Sequence, residues 1–136
     1  MRRRKPAVGS VVQLSLPDGT YAYGRVLRDA AVAFYVTRSA VPDQPPIGER
    51  SYEFVVGVYD DVLRADDMPV VGKDPAGSPD DEWPPPFRVQ DPISGAVSVY
   101  ERGAIRPARG GEAESLETAA VWDREHLVNR LMASCS

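Results

Sequence analysis

Residues 11–16, VVQLSL, place Val12, Leu14 and Leu16 on one face and Gln13 and Ser15 on the other. That alternation predicts a strand. Pro17-Asp18-Gly19 follows. Proline presets the first central position of a type I turn, aspartate suits the second, and glycine accepts the left-handed conformation after it. This predicts a three-residue hairpin loop closed by a glycine bulge. In that register Leu14 lies opposite Ala22 and Val12 opposite Gly24. Tyr21, Tyr23 and Arg25 then share the more polar face with Gln13 and Ser15. A two-residue turn at Asp18-Gly19 would slip the pairing by one and move both tyrosines to the leucine face; the proline favours the bulged turn. On the polar face the tyrosines either stand displayed or pack beneath a later helix, and the sequence leaves both open.

Further along, AVAFYVT at 31–37 reads as a third strand, joined through the short Arg28-Asp29-Ala30 link. SYEFVVGVY at 51–59 is apolar enough on both faces to be central, with Gly57 marking a bulge. Residues 38–50 hold Pro42, Pro45, Pro46 and Gly48 and read as a loop. MPVVG at 68–72 is a short extended segment. Residues 72–86 contain five prolines, so we expect a long Pro-rich surface loop without helix or interior strand. FRVQD at 87–91 and AVSVYE at 96–101 form a second hairpin, and AIRPA at 104–108 adds an edge segment that Pro107 ends. Helical signals come near the end: a short helix within 110–122, then a helix over 124–133 capped by Asp123. Its stripe is Leu127, Val128, Leu131 and Met132, with His126 and Arg130 on the solvent side. The expected fold is mainly β: a curved antiparallel sheet or small barrel of about six strands with a short C-terminal helical segment. Residues 1–136 are read as a single domain, with 1–6 a disordered basic arm.

Composition changes this picture little. At 136 residues, 43% hydrophobic and 26% charged, the chain is of ordinary globular type. One cysteine, Cys135, excludes an internal disulfide and a cysteine zinc site, and fits a reducing compartment. No apolar run reaches the ~18 residues of a membrane span, and the basic start lacks a cleavage signature, so a cytoplasmic location and no membrane partner are expected.

Charge changes it more. The net charge is −4. Residues 1–38 carry seven basic and two acidic side chains, +5, whereas 39–136 carry nine and eighteen, −9. Acid is densest over 60–82: Asp60, Asp61, Asp66, Asp67, Asp74, Asp80, Asp81 and Glu82 against Arg64 and Lys73. Such a stretch repels nucleic acid and speeds association with basic partners; its plain alternative is a set of solvated loops.

Candidate chemistry is sparse. The single histidine, His126, falls on a polar helix side, and no serine or cysteine sits in a nucleophile elbow. Asp80-Asp81 could touch a hard cation, but nothing resembles a calcium loop. Gly9, Gly19 and Gly24 are spaced for turns, not for a phosphate cradle. Neither cofactor nor metal is expected, and no residue is assigned a catalytic role.

The ordered segments VGSVVQLSLPDGTYAYGRVLRDAAVAFYV, MPVVG, PPPFRVQDPISGAVSVYERGAIRPA and ESLETAAVWDREHLVNRL together resemble the immunity protein 26 family of bacterial polymorphic toxin systems. The likeness runs over about residues 6–132. One departure is Met68, where the family carries a tryptophan. The resemblance implies a mainly β cytoplasmic protein, not an enzyme, that binds and neutralises a cognate toxin domain by occluding its active or substrate-binding surface. Many such toxins act on nucleic acid and are basic, so a basic nuclease is one partner of this kind. The first candidate contact surface is acidic with an aromatic anchor: Asp60, Asp61, Asp66, Asp67, Asp80, Asp81, Glu82 and Trp83. Trp83 is either folded back or held out for a partner. Tyr21, Tyr23 and Arg25 form a second patch. The competing function is a small β-barrel module that binds peptide or nucleic acid, the latter disfavoured by a pI near 5.0.

Overall fold

In the computed structural model, which describes residues 4–133, the leading hairpin forms as its turn residues dictate. Strand β1 (Ser10–Ser15) pairs antiparallel with β2 (Tyr21–Val26), with Leu14 opposite Ala22 and Val12 opposite Gly24. The Gly19 amide donates to the Leu16 carbonyl, Leu16 and Thr20 close the loop, and Gly19 takes φ +87°. The bulged turn is therefore the one adopted, and it fixes which side chains share a face.

Strands β3 (Ala31–Tyr35), β4 (Tyr52–Val58), β5 (Val70–Lys73) and β9 (Val121–Trp122) complete a six-stranded sheet in the order β5-β1-β2-β3-β4-β9. All pairs are antiparallel except β4–β9. The two edge strands do not meet, so the sheet is curved and open rather than a closed barrel. A second sheet has three strands, β6 (Phe87–Gln90), β7 (Val97–Glu101) and β8 (Ala104–Pro107). It contains the expected second hairpin and edge segment; the described residues hold nine strands against the expected about six, within the expected mainly β class.

One face of the large sheet carries the apolar core. Val12, Leu14, Ala22, Val26, Val32, Phe34, Phe54, Val56 and Val58 pack there with Leu63, Met68, Leu127 and Leu131. The cover comes from α1 (Asp60–Leu63), which the sequence reading missed, and α2 (Arg124–Ala133), which it placed. Asp123 caps α2 by accepting from the His126 amide at 2.9 Å. Met68 is fully buried in this core, so the departure from the family's tryptophan alters core volume, not an outer surface.

Five expectations are corrected. Residues 110–122 form turns and then β9, not a helix: Gly110 takes φ +53° and Val121 and Trp122 pair with β4. Arg130 is not on the solvent side, since its guanidinium lies 4.1 Å from the Phe54 ring centre and pairs with Glu117. The 72–86 segment holds a 3-10 turn, Pro79–Glu82, because proline suits the first position of a helical turn. In the basic arm Lys5 pairs with Asp60 at 3.2 Å and Pro6 is buried. Residues 1–3 and Cys135 lie outside the described residues. The bulge expected at Gly57 is instead at Glu53, opposite the step from Phe34 to Tyr35. Phe34 pairs with Phe54 but Tyr35 with Tyr52, leaving Glu53 extra and turning Tyr52 to the face of Tyr35.

Candidate functional site

The second face of the large sheet is where Tyr23 and Arg25 project. Neither is displayed: Tyr23 is 0% and Arg25 1% exposed. They do not lie under the C-terminal helix either. Two loops cover them, residues 38–50 and 72–83. Tyr21 is half-buried and packs beside Tyr23. This removes Tyr23 and Arg25 from the contact surface that the sequence suggested.

Their chemistry explains the burial. A buried arginine needs acceptors for its donors, and Arg25 finds them across the sequence. Nε donates to the Asp74 carbonyl at 2.7 Å, and the terminal nitrogens reach the Asp81 carbonyl at 2.8 Å and its carboxylate at 3.4 Å. Asp74, 2% exposed, accepts from Tyr35 Oη, Arg50 and the Gly48 amide through one oxygen. Burial pushes the Asp74 carboxyl up, but these hydrogen bonds outweigh it and hold the group below the usual carboxylate range. Burial, then the Asp74 hydrogen bond, pushes the Tyr35 phenol far above its ordinary value. Tyr23 Oη meets Ser39 Oγ at 2.7 Å and accepts from the Gln44 amide, while Gln13 accepts from the Asp43 amide. The polar face is thus a latch that fastens two loops to the sheet.

The acidic stretch divides. Asp80, Asp81, Glu82 and Trp83 sit beside the latch and are matched by arginines. Asp80 pairs with Arg102 at 2.9 Å, Asp81 with Arg25 and Arg50, and Glu82 with Arg28 at 3.2 Å. Trp83 is folded back and half-buried, with Arg28 and Arg102 5.7 and 5.6 Å from its ring centre. Asp60, Asp61, Asp66 and Asp67 cluster around α1 on the other side and are exposed. There Asp60 pairs with Lys5 and Asp67 with Arg124 at 2.8 Å.

Between these groups lies a region the sequence did not single out. The β2–β3 turn holds Asp29 and Ala30 at φ +66° and +54°. Asp29 accepts from Tyr100 Oη at 2.5 Å, tying the small sheet to the large one. Beneath the turn an apolar groove of about 340 Å³ opens between the sheets, walled by Ala31, Phe87, Val89, Tyr100 and Val121. A neighbouring groove of about 380 Å³ shares Val121 and is lined by Val58, Tyr59, Asp60 and Asp61. Local sequence could mark the turn, but only the packing of the second hairpin makes the groove.

Among the described residues, no group of three or more His, Cys, Asp or Glu side chains is placed to hold a metal. His126 is exposed, 3.0 Å from Asp123 and edge-on to Trp122. No helix of the described residues is long and apolar enough to cross a membrane.

Comparison with known proteins adds the frame for this geometry. No curated protein and no solved structure matches the chain. The sequence pattern of a protein family described as Immunity protein 26 matches residues 7–98, from just before β1 through β6 to the first residues of β7. That stretch is more than half of the chain, and the chain belongs to the immunity protein 26 family.

Proposed function

We propose that this protein binds a cognate toxin of a polymorphic toxin system in the cytoplasm and neutralises it by covering its active or substrate-binding surface. The observation that carries the reading is the family match over residues 7–98. Three features support it. The net charge of −4 and the exposed carboxylates around α1 suit a basic partner, such as a nuclease, through faster association. The Tyr100–Asp29 hydrogen bond fixes the small sheet against the large one, which lowers the ordering cost of binding on a surface built from both. The one histidine is exposed beside the Asp123 carboxylate, which suits a chain that acts by contact.

The test uses the toxin domain encoded beside this gene. Cells producing that domain should survive when they also produce this chain, and die when they do not. Equal killing in both cases would remove the reading. Salt-dependent DNA binding by the isolated chain at physiological ionic strength would instead support a nucleic-acid module.

A further inference from the structure

We infer that the toxin docks on the groove between the two sheets, and that the occupant is a basic loop of the toxin carrying one large apolar side chain at its tip. This rests on the reading of the chain as an immunity protein.

The groove is built for such a tip. Phe87, Val89, Tyr100, Ala31 and Val121 make an apolar wall. Its volume of about 340 Å³ is at the small end of ligand pockets, room for a single anchoring side chain rather than a large ligand. Its wall is preformed, because Tyr100 is held by Asp29. The apolar surface continues outward: Tyr59 and Val121 are each 55% exposed at the adjoining groove.

Charge selects the flanks of the loop. Asp29, Asp60 and Asp61 stand at the rims, and neither groove has a lysine or arginine among its described lining residues. Lys5 makes an exposed pair with Asp60 that a partner's lysine or arginine can replace. The other acidic group is different. Asp80, Asp81 and Glu82, paired with Arg102, Arg25, Arg50 and Arg28, line neither groove. An apolar centre with an acidic rim fits a basic loop with an apolar tip.

The experiment measures binding of the neighbouring gene's toxin domain by interferometry and maps the complex by hydrogen exchange. Protection is expected at residues 28–31, 57–61 and 119–122. Val89→Glu, which places a charge in the wall, should weaken binding by about 100-fold or more. The exposed double change Asp60→Lys and Asp61→Lys should slow association about tenfold at low salt and flatten its salt dependence. Val41→Asp, on the far loop, should stay within about twofold. A melting curve separates misfolding of Val89→Glu from lost contact, and the double charge change stands on surface positions in any case. Tight binding that leaves these segments unprotected and both variants unaffected overturns the docking face alone. A failure of the unmodified chain to bind overturns the immunity reading and this face with it.

Discussion

The two faces of the large sheet are closed by opposite means. On one, Val12, Leu14, Phe34, Phe54 and Val56 meet Leu127 and Leu131 of α2 and Met68, with apolar contact as the adhesive. On the other, Tyr23, Tyr35, Tyr52 and Arg25 meet loops, and hydrogen bonds to Asp74, Asp81, Ser39 and Gln44 hold the cover in place. Apolar packing is non-directional and tolerates repacking. A buried polar network is directional, so it fixes a loop in one position and fails when a single member is lost. A protein whose work is to present a stable outer surface gains from the second kind of closure wherever its cover is loop rather than helix.

The sharpest way to break this comparison is at Arg25. Arg25→Ala leaves the Asp74 and Asp81 carbonyls and the Asp81 carboxylate without their buried donor, and should cost about 3–5 kcal/mol in a chemical denaturation curve. Against a total of about 5–15 kcal/mol this approaches unfolding. On the apolar face, Leu131→Ala should cost about 3 kcal/mol by lost transfer energy and a residual cavity. The two variants should differ in kind as well as size. Arg25→Ala should speed hydrogen exchange in 72–83 ahead of the sheet, whereas Leu131→Ala should loosen α2.

A milder cut is Tyr35→Phe, which takes one of three donors from Asp74 and should cost about 1–2 kcal/mol. The same network sets a pH window. The folded Asp74 carboxyl titrates below its unfolded value of 3.8, so its contribution is present above that pH and is lost as pH falls through the lowered folded value. The folded Tyr35 phenol titrates above 10.0, so its contribution is present below pH 10 and is lost as pH rises from there. Asp74→Asn should therefore flatten the acid limb of a stability–pH curve and shrink the alkaline limb without abolishing it, since burial remains the first cause of the Tyr35 shift. The smallest effect is expected at Ile93, 95% exposed at the tip of the β6–β7 hairpin, where Ile93→Ser should change stability by less than about 0.5 kcal/mol.

The contrast between faces also explains what could be read from the chain. Val12-x-Leu14 and the Leu127, Leu131 stripe are local periodic signals, so β1, β2 and α2 followed from spacing. Pro17-Asp18-Gly19 even set the register. Arg25 was placed on the right face but with the wrong surroundings, because its partners Asp74 and Asp81 lie 49 and 56 residues away and local pattern carries no trace of them. The acidic stretch looked continuous in sequence, yet the fold buries Asp74 and sends its two ends to different sides. The helix expected in 110–122 failed because Val121 and Trp122 pair with Gly57 and Val58, a long-range contact that overrides local preference. The groove at the β2–β3 turn was illegible for the same reason: its walls come from both sheets.

Titration of the toxin's activity with this chain tests the central claim most directly. Occlusion predicts a linear fall to zero that breaks at one chain per toxin, with the toxin recovered intact and active once the complex is dissociated. Complete inactivation at a small fraction of an equivalent, or a toxin recovered chemically altered, would contradict it.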